Sequence, residues 1–293
     1  MLFSSPTEGL AHLYDQTTAV RMLAQAGFEA FDLSLFTMTD PKDPFNQPDY
    51  REQALALRAV ADAAGIICNQ SHAPFPSSVG DPTQDEERFQ TIVRAMEIAA
   101  ILGAKIIVVH PMHHLDYRTH AQETTEMNLA FYRRLLPYCQ QFGIKIACEN
   151  MWQYNQPAHR IRDSACSRPQ EFCDYIDQVG SPWLVGCLDV GHAALTDEDL
   201  PAYVRALGPQ RLQALHVHDN DLWADSHTLP FVTGKVDFAG LTAALKEIGY
   251  QGDLTLEADA FLLKFPLPLV PEAVRLMACT ARYLAQEAGK QDA

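Results

Sequence analysis

Seven glycines set the rhythm of this 293-residue chain. Gly27, Gly65, Gly103, Gly143, Gly180, Gly208 and Gly249 each follow a helix-like stretch and precede a short apolar run, as in AQAGFEAFDLS, AAILGAKIIVVH and CQQFGIKIACE. Glycine takes the left-handed conformation that ends a helix without the penalty a Cβ brings, so the pattern spells helix, terminating glycine, strand. Successive gaps are 38, 38, 40, 37, 28 and 41 residues, a mean of 37. Eight units of that length fill 296 positions against the 293 present, which points to one domain over residues 1–293.

The segments between the glycines carry helical periodicity. Phe89, Ile92, Val93, Met96 and Ala99/Ala100 share one face of 87–102, and Tyr203, Val204 and Leu207 do so in the short sixth unit. The runs at 106–109, 184–188 and 254–256 are continuously apolar, as in strands covered by helices. Strand alternating with helix through right-handed crossovers gives a parallel sheet, and eight units close into a (β/α)8 TIM barrel. The competing open doubly wound sheet usually carries a Gly-rich phosphate fingerprint. This chain has no GxGxxG after a strand, and no GxxxxGK[ST], GxSxG or HExxH.

Connections from helix to strand are a few residues long, whereas 34–48, 73–83, 150–168 and 219–236 are long strand-to-helix loops. Long loops on one rim and tight ones on the other is how a barrel builds an active site at its C-terminal face. The residues that end the strands therefore matter most. They are His72, His110, Glu149, Asp189 with His192 one turn on, His216 with His218 just beyond it, and Glu257. Asp225 and His227 follow in the 219–236 loop. Taken singly, each histidine reads as a hydrogen-bonded core or surface residue and each carboxylate as a helix cap or solvated group, but barrel closure brings these ends around one axis. Gathered carboxylates repel one another and lose water, and a divalent cation relieves that cost. Glu149, Asp189, His216 and Glu257 are the economical ligand set. Oxygen-rich ligation favours one Mn²⁺ or Mg²⁺, and the further histidines admit Zn²⁺ or Co²⁺.

Composition narrows the function classes. Lys and Arg number 22 against 37 Asp and Glu, a formal charge of −15, which disfavours nucleic acid as a partner. With 47% hydrophobic and 20% charged residues the chain is globular, and no apolar stretch is long enough to span a membrane. Seven cysteines, none in a CxxC pair, and an N-terminus without a signal pattern suit reduced thiols in the cytoplasm.

These residues carry a resemblance over nearly the whole chain. Ser71-His72-Ala73-Pro74, His110-Pro111, Glu149-Asn150, Leu188-Asp189-x-x-His192, His216-x-His218-Asp219, Asp225-x-His227, Gly234-Lys235-Val236-Asp237 and Glu257 together resemble the xylose isomerase-like TIM-barrel superfamily, most of all its sugar phosphate isomerase/epimerase family. The resemblance implies one divalent cation on Glu149, Asp189, His216 and Glu257, with Glu149 and Glu257 also moving the substrate proton and His192 contacting substrate. It further implies that dimers or tetramers are common. The sequence departs from the ketose epimerases where they place an Arg after the strand-seven histidine; here Asp219-Asn220-Asp221-Leu222 stands instead. It also resembles metal-dependent apurinic endonucleases, whose extra metal ligands match His72, His110, His192, Asp225 and His227.

The expected reaction is isomerisation or epimerisation of a sugar or keto-polyol through a metal-stabilised enediolate, with Glu149 and Glu257 as base and acid. His72, His110, His192, Asp225, His227 and Trp152 would bind substrate. Phe36, Phe75, Trp152, Tyr154 and Trp223 lie in rim loops, as loop packing or as a stacking platform. Arg118, Arg160, Arg162 and Arg168, also on the rim, would suit a carboxylate or phosphate clamp. The rivals are a keto-sugar lyase or dehydratase using the same enolate, a multi-zinc phosphodiesterase, and a ligand-binding barrel without turnover.

Overall fold

In the computed structural model, which describes residues 1–289, eight parallel strands close into a barrel. The last four residues of the expected 1–293 span lie outside the described residues. The barrel strands are β1 (Phe3–Pro6), β2 (Ala30–Ser34), β3 (Ile67–His72), β4 (Ile106–Val108), β5 (Lys145–Glu149), β6 (Leu184–Asp189), β7 (Leu212–Val217) and β8 (Leu254–Leu256). Each pairs with its sequence neighbour, and β1 closes on β8 through Phe3↔Leu254 and Ser4↔Thr255.

Local chemistry sets these boundaries. The helix Pro82–Leu102 begins on the Asp81 cap, whose carboxylate accepts from the Thr83 and Gln84 amides, with proline at its first position. It ends at Gly103, φ +93°, a conformation in which a side chain would be strained and would also meet the Arg58 guanidinium. The sixth unit differs from the expected pattern. Gly208 does not end its helix but kinks it, and one more turn through Pro209 and Arg211 leads into β7.

The main core lies between strands and helices, and includes Phe31, Leu33, Tyr132, Phe172, Tyr203 and Leu256. A smaller cluster of Val108, Ala147, Val185, Cys187 and Ala214 fills the barrel interior. The interior is therefore packed, and the strand-end side chains project above it, at the C-terminal ends of the strands. An antiparallel hairpin, Trp152–Asn155 with Arg160–Asp163, rises from the loop after β5. The expected 150–168 loop thus carries a two-stranded ribbon.

Candidate metal centre

Period-two alternation puts the strand-end side chains inside the barrel mouth. Glu149 is buried, with Oε1 2.9 Å from His216 Nδ1 and Oε2 2.9 Å from His110 Nε2 and 3.5 Å from His72 Nε2. His216 Nδ1 lies equally close, at 3.0 Å, to Glu257 Oε2. Asp189 sits opposite His216 in the β6–β7 register. Its Oδ1 accepts from the His192 amide at 2.7 Å and from His218 Nε2 at 3.1 Å. One ligand atom from each of Glu149, Asp189, His216 and Glu257 falls within 4.8 Å of all the others. The four residues named from sequence thus converge.

Ligand atoms also lie within 4.8 Å of one another in two further groups: His72, Glu149 and His216, and then His192, His218, Asp225 and His227. In the second group Asp225 is the hub. Its Oδ2 is 3.0 Å from His192 Nε2 and accepts from Trp152 Nε1 at 3.0 Å, and its Oδ1 is 3.3 Å from His227 Nε2. His192 donates its other nitrogen to Asn150 O at 2.9 Å. Both nitrogens of the imidazole expected to touch substrate are therefore engaged within the protein. The His218 and His227 rings stack at 4.1 Å and 9°.

Electrostatics follow from burial and these contacts. Burial works against the Glu149 charge, but His216 and His110 outweigh it and hold the carboxyl well below its ordinary range. Glu257 is likewise drawn down to about 2, burial being overcome chiefly by His216. Burial disfavours the His192 cation, yet Asp189 and Asp225 raise its pKa to about 10. The same conflict, resolved by Cys187, Glu257 and Glu149, lifts His216 well above the usual imidazole range.

The residues fit a divalent cation. Asp189 Oδ2 is buried and has no hydrogen-bond partner, an arrangement that costs free energy unless something positive completes it. Three carboxylates and one imidazole form a donor set suited to Mn²⁺, Mg²⁺ or Zn²⁺.

A cleft of about 1060 Å³ opens over the centre. His72, His110, Glu149, His192, Asp225, His227 and Glu257 line its floor, and Phe36, Phe75, Trp152 and Tyr154 its walls. Trp223, 78% exposed, is not among the lining residues. Several residues passed over in the sequence also belong here. Gln70 places its amide nitrogen 3.0 Å from His216 Nε2 and donates to Asp32 Oδ2 at 2.6 Å. Asp259 lines the cleft beside Glu257. Alternation back from His72 puts Gln70 on the same face, and Gln70 pairs with Asp32 in the β2–β3 register. Reading only the last residue of each strand misses both.

The sequence profile of the xylose isomerase-like TIM barrel matches residues 20–278. The chain belongs to that family. An uncharacterized protein of Methanocaldococcus jannaschii is 28% identical over 193 residues, which are 64% of this chain and 62% of that protein's length. The L-ribulose-5-phosphate 3-epimerase UlaE of Salmonella paratyphi C is 23% identical over 215 residues, 71% of this chain and 70% of its own. Among solved structures, the IolI protein with a bound zinc atom superposes with a TM-score of 0.78 at 14% identity, covering 99% of this chain and 100% of that one.

Proposed function

We propose that this barrel is a divalent-metal-dependent epimerase or isomerase of a keto-sugar or keto-polyol, working by proton transfer at the carbon beside the carbonyl. The observation that carries the reading is the placement of Glu149 and Glu257, from β5 and β8, at 2.9 and 3.0 Å on the same His216 nitrogen. That leaves two ionised carboxylates facing one point beneath a cleft. The name of the relative UlaE supports a sugar substrate.

Glu149, Asp189, His216 and Glu257 would hold the cation. When bound it polarises a carbonyl and offsets the negative charge that develops there. Glu149 and Glu257 take and return the proton at the carbon, as base and acid on either side of the substrate. Asp225 fixes the His192 ring, and Trp152 holds Asp225 from the cleft wall. His72 and His110, with Nε2 atoms 3.0 Å apart at the edge of the centre, receive substrate oxygens. Mn²⁺ suits the oxygen-rich set best; the zinc in the IolI structure makes Zn²⁺ the next choice. Seven cysteines without a disulfide support a reducing compartment, and no described helix is long and apolar enough to cross a membrane.

A second reading, phosphodiester hydrolysis by several metals, draws on one observation: the two additional ligand groups built from His72 and from His192, Asp225 and His227. The charge of −15 weighs against the polyanion it would require. Metal analysis separates the two, one ion per chain for the sugar enzyme and three for the hydrolase. Proton NMR of candidate ketoses in heavy water tests the first directly. Deuterium should enter beside the carbonyl with the native protein and not with Glu149→Gln or Glu257→Gln. Full exchange by Glu257→Gln would refute the assigned role.

A further inference from the structure

The cleft is larger than one sugar ring needs. Its volume of about 1060 Å³ stands at the top of the roughly 300–1,000 Å³ range of pockets that bury drug-sized ligands. The space beyond the carboxylate centre is walled by the hairpin Trp152–Asn155/Arg160–Asp163 and by the segment 113–118. Gln153 locks these two walls together. Its amide nitrogen donates to His113 O and Leu115 O at 2.7 Å each, and its carbonyl accepts from the Tyr117 amide at 3.0 Å. Arg162 is directly opposite Gln153 in the hairpin register, so its side chain leaves the ribbon on the same face.

Arg162 is unusual in an acidic protein. Carboxylates outnumber cations 37 to 22; Arg168 is paired with Asp163 and Glu198, Arg118 with Asp116 at 3.5 Å, and Arg160 in the same strand is exposed to solvent. Arg162 is partly buried and lines the cleft, yet its side chain makes no ion pair or hydrogen bond among the described residues. A half-buried guanidinium without a partner is poorly compensated, and its planar fork matches an oxyanion in two-point contact. Asp163, the carboxylate beside it in sequence, is held by Arg168 instead. Arg162 is thus a cleft-lining cation that its sequence neighbour does not neutralise.

We infer that Arg162 is the anchor of an outer subsite that binds an anionic group, phosphate or carboxylate, on the part of the substrate remote from its carbonyl. The segment 113–118, to which Gln153 is tied on the same ribbon face, flanks that extension, and the carboxylate centre takes the carbonyl end. The inference rests on the keto-sugar reading of the centre and specifies the substrate class within it: a keto-sugar bearing an acidic terminus.

Calorimetric titration of the metal-replete protein with three probes tests this: ribulose, ribulose 5-phosphate and a hexulosonate. At least one anionic probe should bind about tenfold or more tighter than ribulose, the gain expected of a charge-assisted contact. Arg162→Gln should erase that ratio while leaving the ribulose affinity unchanged, which also reports that the variant is folded. Arg162→Lys should keep part of the ratio, and Arg162→Glu should invert it. The stronger anionic probe identifies phosphate or carboxylate as the group. An unchanged ratio in Arg162→Gln, or no preference for either anion in the native protein, would overturn the inference. Deuterium exchange read on the same samples keeps the two readings apart. Exchange that persists without anion preference removes only the subsite, whereas an Arg162-dependent preference without exchange removes only the isomerase.

Discussion

Asn150 and Asp189 hold each other by a reciprocal pair of hydrogen bonds between the adjacent strand ends of β5 and β6. The Asp189 amide donates to Asn150 Oδ1 at 2.8 Å, and Asn150 Nδ2 donates back to Asp189 O at 2.9 Å. Both residues are buried, so the clamp fixes the backbone from which one candidate metal ligand projects. Asn150→Leu leaves a buried amide and a buried carbonyl unpaired at about 1–3 kcal/mol each. Urea unfolding should show a loss of at least about 2 kcal/mol. Asn150→Asp keeps an acceptor for the Asp189 amide, loses the donor and adds charge, so it should retain more stability than the leucine variant yet bind metal differently. Identical unfolding midpoints for native and Asn150→Leu would show that the clamp has no structural role.

Gly191 lies between Asp189 and His192, and its special requirement is space. A Cβ there would stand 2.0 Å from the His218 ring. Gly191→Ala must push His218 off Asp189 or shift the turn, an overpacking cost of about 1–3 kcal/mol. The double variant Gly191→Ala/His218→Ala should recover most of that loss. A double-mutant cycle on thermal unfolding reads the coupling between the two sites, and simple additivity would contradict the steric account.

What the sequence made legible is what local rules encode. Capping glycines and apolar runs are contiguous signals, so the barrel and the ends of β3 to β8 could be read directly. Glu149, Asp189, His216 and Glu257 follow from those ends plus closure. Contacts that depend on loop paths could not be read. Asp225 reaches His192 from 33 positions away, along a loop with no periodicity. The hairpin strands WQYN and RIRD are polar and short, with no buried face to impose alternation. Gln70 and Asp32 were within reach, but only by following alternation one step below the rim.

On the proposed reading, in which Glu149, Asp189, His216 and Glu257 hold a cation, its removal should destabilise the protein as well as silence it. Three carboxylates converge within 4.8 Å, and Asp189 Oδ2 has no hydrogen-bond partner. A ligand that binds the folded chain at a hundred times its Kd adds about 2.7 kcal/mol. Addition of Mn²⁺ to chelator-treated protein should therefore raise the thermal midpoint by several degrees. Asp189→Asn should abolish the increment without preventing folding, since the amide can still accept from the His192 amide. An equal Mn²⁺ shift in the variant would exclude Asp189 from the ligand set.

His113 supplies an acid-sensitive element beside the cleft. Burial pushes its pKa down from 6.5 to about 4, with His110, His192 and His114 adding to the effect, and its Nδ1 has no partner. Below pH 6.5 the unfolded chain takes up a proton here that the folded chain refuses until about pH 4. Stability is thus fully present above pH 6.5 and declines as pH falls through this window, by on the order of 2 kcal/mol given the ring's partial exposure. His113→Asn cannot titrate and should flatten that share of the acid limb. Unfolding free energies of the two proteins, compared between pH 7 and pH 4.5, should draw together on acidification by about that amount. A constant difference across the range would show that His113 does not carry the acid sensitivity.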